Sequence, residues 1–173
     1  MEYVLFPMLV VICISTHIIR TVYEYVKHKR ILEPSKLSFV IILIDMVMMW
    51  MSWFLLNSLD PHRIDLPVVV RYSGILLIFA GLILFFTALY TIKTLENHKG
   101  NLVTNGIYSI IRHPMYAGFI LWLIGPPLLY GSLYSSVLSI VFIINVLYWR
   151  QLEELELEKR FPEYKDYKKK TLF

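Results

Sequence analysis

The run LPVVVRYSGILLIFAGLILFFTALYTI, residues 66–92, decides the fold class. Arg71 is its one charged residue. About 20 mostly apolar residues are enough for a helix to cross the ~30 Å hydrocarbon layer of a bilayer. At a rise of ~1.5 Å per residue this run exceeds that thickness, so it should tilt or protrude. It reads as the longest of five spans. The others cover about Tyr3–Val26, Leu37–Leu59, Pro114–Tyr130 and Leu133–Trp149. The chain as a whole agrees: 57% of its 173 residues are hydrophobic, 17% are charged, and the mean hydropathy is +0.60. That is too apolar for a soluble domain of this size. The expected fold is all-α: one polytopic membrane domain over residues 1–173, with five transmembrane helices and a C-terminal cytoplasmic helix.

The interruptions within the spans are few. His17 and Arg20 break the first and Asp45 the second. Asp45 reads as a structural acid that pairs with His17 or Arg20. In the fourth span Gly125-Pro126-Pro127 predicts a helix end or a kink, because each proline removes a helical hydrogen bond. Gly131-Ser132 leaves only a tight turn between spans four and five, so these two form a helical hairpin. The start, Met1-Glu2, has no basic segment, and the first apolar stretch reads as a true span rather than a cleaved signal.

Charge in the loops sets the orientation. Lys27, Lys29, Arg30 and Lys36 follow span one, and Lys93, Lys99 and Arg112 follow span three. The tail after span five carries seven more basic residues. The loop after span two has Arg63 and nearby Arg71, offset by Asp60 and Asp65, and the turn after span four has no charge. The alternation predicts the N-terminus outside and the C-terminus in the cytoplasm. The tail, from Arg150 to Phe173, reads as a charged helix with a basic end. Arg150, Glu153 and Glu154 share one helix face there, with Arg150 and Glu154 spaced for a surface pair. Lys168-Lys169-Lys170 reads chiefly as a mark of the cytoplasmic side.

Cys13 is the single cysteine. It excludes an intramolecular disulfide and a cysteine metal site, and it reads as a small buried hydrophobe. The histidines, at 17, 28, 62, 98 and 113, have no metal-ligand spacing. Neither a metal nor a nucleic-acid partner is expected, and the oligomeric state is left open. No glycine-rich nucleotide-binding loop of the soluble type occurs.

Two polar constellations remain. The first is Leu102-Val103-Thr104-Asn105-Gly106-Ile107-Tyr108-Ser109-Ile110-Ile111-Arg112-His113-Pro114-Met115-Tyr116. It is an island of polar and turn-forming residues at the edge of an apolar span, a costly place for such groups. Pro114 suits the first position of a helix, and His113 before it is pushed toward an extended conformation. The second runs from Glu153-Glu154 through Phe161-Pro162-Glu163-Tyr164 to Tyr167. Both should lie on the cytoplasmic face.

Together, in this order and around a helical hairpin, they resemble the isoprenylcysteine carboxyl methyltransferase family and its relatives, the membrane phospholipid methyltransferases. The resemblance covers about residues 102–167. It implies an integral membrane enzyme that uses S-adenosylmethionine, with residues 1–92 supplying three N-terminal spans and residues 93–173 the cofactor-binding and catalytic half. By position, Leu102, Val103, Tyr108, His113, Pro114, Met115, Tyr116 and Glu153 would line the cofactor site, with Glu154 as a further candidate. The chemistry is consistent with this. A helix N-terminus receives a carboxylate, tyrosine faces suit an adenine or a sulfonium, and Glu153 can accept from an ammonium or a ribose. Arg150 is the candidate to hold an acceptor carboxylate, and Arg150 with Glu154 forms the expected catalytic pair. Arg112 is expected to brace the loop.

Three positions depart from the family pattern. Gly100 stands where a histidine is usual, with His98 two residues before it. Trp149 stands where the substrate arginine is usual, and Arg150 follows it. Pro162 replaces a glycine. The implied acceptor is lipophilic and enters from the bilayer. A prenylcysteine-type carboxylate leads, with a phospholipid amine or a small thiol as alternatives. An NADPH-dependent sterol-like reductase and a non-catalytic membrane scaffold are the readings from other classes.

Overall fold

The computed structural model describes residues 2–92 and 101–173. Lys93, His98, Lys99 and Gly100, which entered the reading of charge and motif, lie outside the described residues. The elements are α1 (Glu2–His28), α2 (Lys36–Ser58), α3 (Val68–Ile92), a 3-10 turn (Gly106–Ser109), α4 (Pro114–Tyr130), α5 (Leu133–Arg160) and α6 (Tyr164–Lys170). Four of these, α1, α2, α3 and α5, are long and apolar enough to cross a membrane. The fold is an all-α polytopic membrane fold. The expected count of five meets that length in only four, because α4 has 17 residues, about 25 Å at ~1.5 Å each.

The core is built by α1, α2, α4 and α5. Leu9 and Cys13 meet Met49, Trp53 and Leu56, then Phe119, Trp122 and Leu123, then Phe142, Val146 and Trp149. Cys13 is fully buried, 3.1 Å from the Ser52 hydroxyl. Helix α3 packs partly buried Leu82 and Phe85 against that cluster, buries Gly74, Gly81 and Ala88, and has its main contact with α4. Two glycine pairs make that contact close. A Cβ on Gly81 would lie 2.6 Å from the Trp122 ring, and one on Gly125 would lie 2.8 Å from the Gly74 carbonyl oxygen. Small residues let two apolar helices approach in this way without a polar contact.

The double proline does not end α4. Pro126 removes the N–H that would bond the Trp122 carbonyl. Trp53 Nε1 donates to that carbonyl instead, at 2.9 Å. The helix runs on to Tyr130 and stops at Gly131, whose φ of +65° is the left-handed conformation that glycine adopts freely. The Ser132 N–H then bonds the Pro127 carbonyl and the Gly131 N–H the Leu128 carbonyl, closing a Schellman motif.

Helices α1 and α5 run parallel. Phe6 faces Tyr134, His17 stacks on Phe142 (ring centroids 3.8 Å apart), and Trp149 Nε1 donates to Thr21 Oγ1 at 2.9 Å. His17 therefore packs against α5 rather than pairing with Asp45. Arg20 pairs with Glu24 one turn on, while Asp45 is buried with Oδ2 lacking a hydrogen-bond partner. Helix α5 is the longest element at 28 residues, exceeding the 25 of α3. The expected fifth span and the charged tail helix are one continuous rod to Arg160. The charges from Arg150 onward raise its polarity without supplying a helix stop.

At one end of the bundle, residues 59–67 clasp the hairpin turn. Asp60 Oδ2 accepts from the Ser135 N–H and hydroxyl, both at 2.8 Å, and so caps the start of α5 from a distant segment. Ser132, at the local cap position, instead donates its hydroxyl to the Asn57 carbonyl. Arg63 donates to the Asn57, Ser58 and Tyr130 carbonyls, placing a cation at the C-termini of α2 and α4.

Candidate functional site

The opposite end holds the two polar constellations. Residues 105–113 contain the 3-10 turn and deliver Arg112 and His113 to the mouth of α4. His113 takes the N-cap position with φ −126° and makes no side-chain cap, leaving the side chain to reach across to α5 and α6. Pro114 begins the helix with no N–H to satisfy, as its position predicts.

Glu154 is the hub. It is 3% exposed, although it sits on the charged part of α5. Its Oε1 lies 3.3 Å from His113 Nε2 and 3.4 Å from Arg112 Nε, and its Oε2 accepts from Lys168 Nζ at 2.6 Å. The Tyr164 hydroxyl is 3.2 Å from the same His113 Nε2. A buried carboxylate needs partners of this kind, since an unpaired one costs several kcal/mol. The hydrogen bond to Glu154 also raises the Lys168 pKa above its ordinary value. Lys168 thus turns inward, spanning Glu154 and Glu158, rather than facing outward with Lys169 and Lys170.

The segment after α5 closes over this hub. Arg112 Nη1 donates to the Lys168 and Thr171 carbonyls at 3.0 and 2.6 Å. The Arg112 N–H bonds the Leu172 carbonyl, and the Leu172 N–H bonds the Ile110 carbonyl. Arg112 braces the loop in this way. The Tyr167 hydroxyl donates to the Tyr108 carbonyl at 2.5 Å. Tyr108 and Tyr164 are buried, which pushes both hydroxyls above the usual tyrosine range.

Glu153, the neighbour of Glu154, is exposed. Its charge is felt at Tyr116, Tyr108 and Tyr164. It is therefore an open carboxylate within electrostatic reach of three tyrosines. Leu102 and Val103 are half-buried in the stretch leading to the 3-10 turn, and Met115 is half-buried in the first turn of α4. Arg150 does not pair with Glu154 along the helix. Its guanidinium lies over the Phe173 ring, 4.5 Å from the centroid, and its buried Nε has no hydrogen-bond partner.

Sequence reasoning missed the roles of Tyr164, Tyr167 and Lys168, which join Glu154 and the His113 loop. The two tyrosines stand three apart at the start of α6, a spacing that puts both on one face and could have flagged them. It also missed Arg20, Glu24 and Lys27 of α1. Glu24 is buried, pairs with Arg20 and lies 3.0 Å from Lys27 Nζ. The charges of Arg20 and Glu24 reach Tyr116, so this cluster borders the site. Among the described residues no group of His, Cys, Asp and Glu side chains could hold a metal ion.

Known proteins resemble the chain over part of its length. It is similar to protein-S-isoprenylcysteine O-methyltransferase B of Arabidopsis thaliana, 41% identical over 69 residues, covering 40% of this chain and 32% of that one. The corresponding Schizosaccharomyces pombe enzyme is 34% identical over 84 residues, covering 47% and 36%. The Rattus norvegicus enzyme is 32% identical over 137 residues, covering 70% and 46%. The chain thus matches between about a third and a half of the length of these relatives. No solved structure matches it. The phospholipid methyltransferase family profile matches residues 69–164, a stretch holding α3, α4, α5, His113, both glutamates and Tyr164. The chain belongs to the phospholipid methyltransferase family.

Proposed function

We propose that the protein is a membrane methyltransferase that moves a methyl group from S-adenosylmethionine to a prenylcysteine-type carboxylate. The observation that carries this reading is the pairing of glutamates at the mouth of α4. Glu154 is enclosed and fastens the His113 loop to α5 and α6. Glu153 stays open beside Tyr116.

The residues fit the cofactor. No side chain caps the N-terminus of α4, so the Met115 and Tyr116 N–H groups are open to a carboxylate. Glu153 would accept from an ammonium or a ribose hydroxyl. Tyr116 and Tyr108 would supply aromatic surface, and Leu102, Val103, Pro114 and Met115 apolar surface. His113 positions this face through Glu154 and Tyr164. When bound, S-adenosylmethionine supplies an electrophilic methyl on a positively charged sulfur. For an anionic acceptor the chain needs no general base. It must hold the acceptor in line and keep water out, and alignment of this kind supplies much of the rate.

Five crossings are part of the proposal, with the N-terminus outside and the C-terminus cytoplasmic. Helix α4 supports the count by running between the same two ends as the long helices. Its start meets Glu154 and its end meets Ile64. A single membrane-embedded domain is proposed with it. The names of the relatives support a prenylcysteine carboxylate over an amine or a thiol.

Transfer of labelled methyl to prenylcysteine, phosphatidylethanolamine and a small thiol tests the reading. Labelled methyl ester on prenylcysteine is the expected product. Turnover of only the amine or only the thiol would refute the carboxylate assignment.

A further inference from the structure

Helices α1 and α5 do not close against each other along their full length. Between them lies a groove of about 470 Å³, within the roughly 300–1,000 Å³ of ordinary small-molecule sites. Its walls are open to the bilayer: Ile18, Val141 and Ile144 are 56%, 57% and 62% exposed. Its floor is polar. Asn145 Oδ1 accepts from Thr21, but Asn145 Nδ2 finds only His17 Nδ1 and the His17 carbonyl, both at 3.5 Å.

Because the two helices are parallel, the groove leads toward the site end of both. There, one turn beyond His17, lies Arg20. Its side chain is 12% exposed, and its guanidinium lies 6.0 Å from the Trp149 ring centroid and 5.7 Å from that of Tyr23. Its partner Glu24 also holds Lys27, so one carboxylate serves two cations. Asp45, on α2, lies within electrostatic reach of Arg20, yet its Oδ2 accepts no hydrogen bond. Arg150 is one residue past Trp149, which on a helix of 3.6 residues per turn is a rotation of about 100°. Trp149 faces α1, and Arg150 turns to Phe173. The cation on the α1–α5 seam is therefore Arg20.

We infer that this groove is the acceptor site: a single-chain lipid lies with its hydrocarbon chain along Ile18, Val141 and Ile144 and its carboxylate against Arg20, next to Tyr116 and Glu153. The inference rests on the methyltransferase reading for the identity of the ligand. An apolar trough with a buried guanidinium one helical turn beyond its His17 end matches an amphiphile with one chain and an anionic head. Lys27 remains to balance Glu24 when Arg20 turns to the ligand.

The test is equilibrium binding of S-farnesylcysteine and of its methyl ester, which has the same chain but no carboxylate charge, to detergent-purified protein. Wild type should bind the free carboxylate at least tenfold more tightly than the ester. Arg20→Gln should erase that preference, and Ile144→Trp, which fills the groove at a lipid-exposed position, should weaken both ligands at least tenfold. Full preference in Arg20→Gln, its loss in Arg150→Gln alone, or unchanged binding in Ile144→Trp would overturn the assignment. S-adenosylhomocysteine binding in the same preparations separates this outcome from failure of the methyltransferase reading. If that ligand binds wild type and these variants do not behave as stated, only the acceptor site is wrong.

Discussion

Each end of the bundle is built on a buried acid. Asp60 is 3% exposed and so is Glu154. Asp60 accepts backbone and hydroxyl hydrogens at the start of α5, and its neighbour Arg63 is consumed by helix-end carbonyls. Asp60 and Arg63 each satisfy a local helix terminus, so this end is a fastening. Glu154 is held by side chains from two separate segments, the His113 loop and α6, and beside it stand groups with capacity left over. Glu153 is exposed, Arg150 Nε has no partner, and the N-terminus of α4 is uncapped. Burial and charge are therefore alike at the two ends. Each end also leaves a buried polar atom without a partner, Asn57 Oδ1 at the first and Arg150 Nε at the second, and what sets the second apart is an exposed carboxylate and an uncapped helix N-terminus beside its hub.

Removing the two acids should break the comparison in different ways. Glu154→Ala leaves Arg112 and Lys168 without their carboxylate, and it should cost about 3–5 kcal/mol of stability. It should also abolish S-adenosylhomocysteine binding, as read by unfolding and by calorimetry in detergent. Asp60→Ala should cost about 1–3 kcal/mol through the lost α5 cap. Its cofactor affinity should stay within threefold of wild type, and a larger loss would mean that the clasp and the site are coupled. Tyr167→Phe removes one hydroxyl bond to the Tyr108 carbonyl and should cost about 0.5–1.5 kcal/mol. Glu153→Gln should change stability by less than about 0.5 kcal/mol while weakening cofactor binding at least tenfold. Adjacent glutamates would then separate cleanly into anchor and ligand.

The smallest effect concerns pH. The Lys168 pKa is raised by Glu154. A lysine raised on folding adds its stability in full below its unfolded value of about 10.4 and loses it as pH climbs through the folded one. Lys168→Met should therefore flatten the alkaline fall in stability relative to wild type and leave the neutral range without pH dependence from this pair.

The helices were legible because apolar runs must be satisfied within the bilayer by their own backbone. The bounds of α4 and the start of α5 follow from Pro114, Gly131 and Ser132. What the sequence hid were partners supplied from afar. The double proline reads as a break until Trp53, 69 positions from the carbonyl it serves, is seen donating to Trp122. The α5 cap comes from Asp60, 75 positions away, in a loop with no motif. At the site, the two polar constellations were legible and so was their shared end of the bundle. The division of labour between Glu153 and Glu154 was not, since they stand about 100° apart on α5 and only the approach of the His113 loop and α6 decides which is enclosed. Arg20 was read as an interruption of a span because nothing in α1 alone points to Trp149.

The central claim is that the hub around Glu154 builds a site for S-adenosylmethionine. Calorimetric titration of detergent-purified wild type and His113→Ala with S-adenosylhomocysteine, and of wild type with NADPH, tests it most directly. The account predicts that S-adenosylhomocysteine binds wild type, that His113→Ala weakens it at least tenfold, and that NADPH does not bind. Binding of NADPH alone, binding of neither ligand, or unchanged affinity in His113→Ala would contradict it.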